Sequence, residues 1–240
     1  MSARKQKRPL NCPAWFRAGT INEAIFCQEY LSKHKLLFTE NAFFTPEGKL
    51  TDEAPLKADV YRELEPFAST SVTKKISNII GLMKISAQTD KLLPQTDRIH
   101  LANGTLMLDG SFSESMTEIV RSRFPLRYNP NAGAPEMWLH FLDQLLYPED
   151  IPTLQEYVGY CLIPSTAAQK MMVIKGNGGE GKSQIGATLS KLFGCNAKDG
   201  SIGKVSENRF ARADLEHVLL MIDDDMRMEA LKQTNYIKSL

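Results

Sequence analysis

The stretch MMVIKGNGGEGKSQIGATL, Met171 to Leu189, sets an apolar run against a glycine-rich turn and a helical pattern. Met171 to Ile174 reads as a buried strand. Gly176 to Ser183 fits G-x-x-x-x-G-K-[ST] at every fixed position. The following SQIGATLSKLF spaces Ile185, Leu189, Leu192 and Phe193 along one helical face. Strand, loop and helix therefore occur in the order a phosphate loop requires. Glycines let the backbone curl so that N–H groups converge on phosphate oxygens. The helix N-terminus adds its positive dipole end. Lys182 then reaches the β- and γ-phosphates as a compact charge, and Ser183 offers a hydroxyl to Mg²⁺. The candidate ligand-binding residues are Gly176, Asn177, Gly178, Gly179, Glu180, Gly181, Lys182 and Ser183.

Such a loop needs an acidic partner at the end of a neighbouring strand. HVLLMIDDD supplies one: Val218 to Ile222 is wholly apolar, as in a strand covered on both faces, and Asp223, Asp224 and Asp225 follow. Parallel α/β sheets place ligands at that end of their strands. Asp223 is assigned to the metal shell through water, together with Ser183. Asp224 is the candidate base or water-orienting residue, catalytic alongside Lys182. A register shift of one residue moves both acidic roles to Asp224 and Asp225. The cofactors implied are ATP and magnesium.

Composition sets the frame. The chain has 240 residues, 42% hydrophobic and 24% charged, with a net charge of +1. These are globular values. The charge gives no overall field toward nucleic acid or membrane, so any DNA contact must come from local patches. Cys12, Cys27, Cys161 and Cys195 lie far apart, without zinc spacing or a disulfide framework, which reads as a reduced, cytoplasmic protein. No apolar run approaches the roughly 18 residues of a membrane span, and no apolar segment turns the basic start into a secretory signal. Membrane partners are not expected.

Residues 1–19 form a basic tail containing Arg4, Lys5, Lys7 and Arg8. Residues 20–130 read as a mainly helical leader. INEAIFCQEYLSKHK places Ile21, Ile25, Phe26, Tyr30 and Leu31 near one face, and SVTKKISNIIGLMKIS places Val72, Ile76, Ile79, Ile80 and Met83 likewise. NAFFTPEGKL is extended with a turn at Pro46–Gly48. DRIHLANGTLMLDGSF, 97–112, alternates as a β-hairpin turning at Asn103–Gly104. The Pro/Asn/Gly-rich FPLRYNPNAGAPEM is read as a connector. Residues 131–164 form a helical linker, with Pro135 and Pro152 as helix-start prolines. Arg209 and Arg212 are assigned to surface pairing with Glu207, Asp214 or Glu216. The four histidines and the Trp138–Phe141 pair are read as structural.

LQEYVGYCLIPSTAAQKMMVIKGNGGEGKS resembles the phage and plasmid primase-helicases of helicase superfamily three, a branch of the AAA+ ATPases. RIHLANGTLMLDG is similar to the hairpin segment those proteins carry ahead of the motor, and NRFARADLEHVLLMIDDDM resembles their stretch through the second acidic motif. The resemblance covers roughly Asp97 to Leu240. It implies an α/β protein: a mostly helical N-terminal region with a hairpin, then an αβα P-loop domain with a parallel sheet over residues 165–240. It also implies a homo-hexamer hydrolysing ATP on single-stranded or origin DNA in a bacterial host cell.

The family motor continues past the second acidic motif with a DNA loop, a sensor strand and an arginine finger. Against that pattern the chain reads as the N-terminal portion of a motor, a truncated AAA+ domain expected to bind ATP with negligible turnover alone. A second reading is a nucleotide-binding interaction protein that docks with a full-length or split helicase. A third is a small-molecule kinase sharing the loop. It is set aside because the hairpin and helical leader match the motor family and no Arg-rich lid segment follows.

Overall fold

The computed structural model describes residues 12–67 and 70–226. The basic residues of the tail, Arg4 to Arg8, lie outside them. The chain forms a mixed α/β structure of two compact units, dividing at Leu92/Leu93.

The first unit begins with a short hairpin, β1 (Phe16–Arg17) and β2 (Thr20–Ile21), and helix α1 (Glu23–Lys33). Asn22 starts α1, its side-chain oxygen accepting from the Ile25 N–H at 3.1 Å. An antiparallel sheet follows, β3 (Leu37–Thr39), β4 (Ala42–Thr45) and β5 (Gly48–Lys49), turning at Pro46–Glu47, within the expected Pro46–Gly48, whose glycine already belongs to β5. Helix α2 (Ala54–Leu64) stops just before Pro66, and α3 (Val72–Ser86) completes the unit. The predicted helical face of α3 is the one that packs: Ile76, Ile79, Ile80 and Met83 are buried against Phe26, Tyr30, Val60 and Leu64. Each such fully buried side chain stabilises by roughly 1.5–3 kcal/mol relative to exposure. The leader is thus less purely helical than its periodicity suggests, because the intervening strands are too short to leave a period.

The second unit opens with β6 (Arg98–Leu101), β7 (Gly104–Met107) and β8 (Phe112–Ser113), an antiparallel three-stranded sheet. Gly104 pairs with Leu101, so the turn is Ala102–Asn103, one residue earlier than expected. The Pro/Asn-rich segment does not act as a free connector. Asn103 and Tyr128 exchange two hydrogen bonds, at 2.9 and 2.7 Å, and Phe124 enters the core beside Leu101. This explains why the compact units divide well before residue 130. Helices α4 (Glu136–Leu145) and α5 (Asp150–Cys161) follow, with Pro135 at the cap of α4 and Pro152 in the first turn of α5.

Next come α6 (Lys182–Phe193), β9 (Ala197–Asp199), two short helices α7 (Ile202–Glu207) and α8 (Arg209–Ala213), and β10 (Leu220–Ile222). β10 pairs with β9 in parallel, in register Leu220↔Ala197 to Ile222↔Asp199. The VLLMI run is therefore strand at its last three residues. The expected strand at Met171–Ile174 is not formed. Met172 and Ile174 pack on the core while Met171 and Val173 are 44% and 45% exposed, a strand-like alternation without a ladder. A cleft lined by both segments lies where pairing with β10 would have to occur.

A buried polar network ties the two ends of the unit. Asn196 donates to the carbonyls of Arg123 and Phe193 at 2.9 and 3.1 Å, and its own carbonyl accepts from the Leu219 N–H. Arg123, itself buried, donates to the carbonyls of Leu101 and Glu118. Burial, with Arg123 nearby, pushes the His100 imidazole below its ordinary pKa. Among the described residues no helix is long and apolar enough to cross a membrane.

Candidate phosphate-binding site

Gly178, Gly179 and Gly181 hold φ of 95°, 75° and 97°, backbone that L side chains rarely adopt. The turn they make delivers the chain into α6 at Lys182. Gly181 offers no side chain to cap α6 and no acidic residue lies in the first turn, while the Gln184 N–H donates to the Gly181 carbonyl at 2.9 Å. α6 is held by its predicted face: Ile185, Leu189 and Phe193 are buried, and Gly186 lets it approach β10, where a Cβ would lie 3.2 Å from Ile222.

Inside the loop, Lys182 Nζ donates to Glu180 Oε2 at 2.7 Å, and the Asn177 N–H donates to Glu180 Oε1 at 3.0 Å. These two bonds hold the Glu180 carboxyl below the usual carboxylate range, Lys182 contributing most.

The structure brings the loop lysine and the acidic run to one place. A cleft of about 460 Å³ is lined by Lys170, Lys175 and Lys182 together with Asp223, Asp224 and Asp225. A neighbouring lobe of about 200 Å³ adds Ser183 and shares Lys182, Asp223 and Asp224. Cations and carboxylates thus line one cavity, as a polyphosphate bound with a divalent metal requires. Asp223 is partly committed: its Oδ2 accepts from the Ile202 N–H at the start of α7, at 2.8 Å. Asp224 and Asp225 are exposed.

Other residues join that the sequence reading assigned no role. Tyr157 of α5 lines both lobes, its hydroxyl pushed up to about 12 mainly by burial, so it stays neutral and able to donate. Its signal was faint, one aromatic among several on a helix. Phe141 of α4 approaches the loop, 3.5 Å from where a Cβ on Gly181 would stand. Arg212 donates to the carbonyls of Val205 and Ser206, Asp214 pairs with Lys198, and Arg209 lies over the Phe210 ring at 4.9 Å. In the first unit, His34 gathers with Asp59 and Glu63, though Asp59 already accepts from Tyr30 and Arg62.

Residues 174–240 match a family model described as a family of unknown function (DUF5906). The match opens at Ile174, spans the Gly176–Ser183 loop and α6, and runs through β10. No curated protein matches the chain.

Proposed function

We propose that this chain binds ATP with magnesium at the Gly176–Ser183 loop and forms the nucleotide-binding part of a DNA replication helicase of the primase-helicase type. The observation that carries the reading is that Lys182, at the head of α6, and Asp223–Asp225, at the C-terminal end of β10, line one cleft. In this reading Lys182 neutralises the β- and γ-phosphates, and Ser183 holds the metal directly. Asp223 or its neighbour holds it through water, and Asp224 orients the attacking water. The β9–β10 pair is the seed of the parallel sheet of an αβα P-loop domain. Homo-oligomeric assembly, a bacterial cytoplasmic setting and single-stranded or origin DNA as partner come from the family resemblance.

Fluorescent-nucleotide titration tests the site. Wild type is expected to bind Mg-ATP and Lys182→Ala to lose binding, because backbone N–H groups alone do not offset the polyphosphate charge. Equal affinity in the two would remove the phosphate-loop assignment. Phosphate release by this chain is expected to be negligible with and without single-stranded oligonucleotide, and robust DNA-stimulated release lost in Lys182→Ala would overturn that expectation.

A further inference from the structure

Glu180 places a negative charge inside a loop built to receive negative charge. Its two carboxylate oxygens take an ammonium, Lys182 Nζ at 2.7 Å, and a backbone N–H, that of Asn177 at 3.0 Å. These are the two kinds of donor that a phosphoryl group would use in the same loop. Gly176 lies directly against the pair: a Cβ there would collide with the Glu180 carboxylate and stand 2.5 Å from Lys182 Nζ. A side chain at position 176 would therefore have to push the Glu180 carboxylate and the Lys182 ammonium out of this arrangement.

We propose that Glu180 is an internal surrogate for phosphate, occupying the loop's donors until a polyphosphate ligand displaces it. The inference rests on the nucleotide-binding reading above and assigns Glu180 a role opposite to that of its neighbours. It competes for the site rather than contacting the ligand. A carboxylate bridging an ammonium and an amide N–H keeps Lys182 folded back over the loop. The pair is also weak enough to yield. The side chains of Lys182 and Glu180 are 25% and 39% exposed, so solvent and salt screen their attraction. A polyphosphate with several charges outcompetes one carboxylate, but must first separate the pair and push a like charge aside.

The test compares wild type, Glu180→Gln and Lys182→Ala by equilibrium titration with Mg-ATP and, separately, inorganic pyrophosphate. Glutamine keeps the shape and an oxygen for the Asn177 N–H while removing the charge. Glu180→Gln is expected to bind both ligands about threefold to tenfold more tightly than wild type. The gap should shrink at high salt. It should stay flat between about pH 6 and pH 8, because the carboxylate is ionised throughout that window. Equal or weaker binding by Glu180→Gln, with Lys182→Ala still abolishing binding, would overturn the surrogate and leave the nucleotide site standing. Failure of wild type and Glu180→Gln alike to bind either ligand would overturn both.

Discussion

Asp223 ends β10 with one carboxylate oxygen bonded to the Ile202 N–H, whereas Asp224 beside it is exposed. The two carboxylates should therefore separate in a stability measurement even though both face the cleft. Asp223→Ala removes a cap on α7 and is expected to lower unfolding free energy by about 1 kcal/mol. Asp224→Ala should change it by less than about 0.5 kcal/mol. Urea unfolding of the two variants decides it, and equal losses would mean that the Ile202 contact contributes nothing. At this scale the sequence shows residue types but not their partners. Glycine spacing around Lys182 is local and was legible. The link from Asp223 back to Ile202, and the Asn196–Arg123 network, join residues distant in sequence and leave no periodic trace.

Among the elements, helices α1, α3, α5 and α6 were legible because their buried faces repeat with the helical period. The strands were harder. β9 reads Ala-Lys-Asp, three residues with no apolar pattern, and exists by backbone pairing with β10. Met171–Ile174 has the apolar pattern and lacks the pairing. Side-chain composition reports burial, whereas a strand also needs a neighbour within hydrogen-bonding distance, which no local pattern encodes. The β6–β7–β8 sheet was partly legible, and it yields an element-scale test. Gly104 has φ 153°, and a Cβ there would collide with the Ser113 carbonyl and lie 2.6 Å from the Phe112 ring. Gly104→Ala should therefore force β8 away from β7 and cost on the order of 1–3 kcal/mol. Thermal melting of the variant checks this; an unchanged Tm would show that β8 moves freely.

At the scale of the molecule, each compact unit has its own apolar core and its own tryptophan. Trp15 is buried with Phe26 and Phe67, and Trp138 packs with Phe141 in the second unit. With two tryptophans in the chain, Trp15→Phe and Trp138→Phe variants give one reporter per unit. Phe26 is 1% exposed, so Phe26→Ala should cost about 3–5 kcal/mol. That loss should move the Trp15 unfolding transition much further than that of Trp138. Coincident shifts of equal size would show that the two cores unfold as one cooperative body.

The segment before the Gly176–Ser183 loop, which joins no strand, has a meaning in time. Among the described residues, no ladder joins the amides of Met171–Ile174 to a neighbouring strand, while β9 and β10 protect each other's. Amides outside such ladders open with little free-energy cost and exchange with solvent early. In deuterium labelling, peptides spanning 171–174 should reach full uptake well before those spanning 220–222, and saturating nucleotide should narrow the interval. Slow exchange at 171–174 without ligand would refute this. If the interval narrows, the chain entering the loop acts as a clock that ligand stops, and nucleotide capture has a rate set by how fast that short stretch comes to rest.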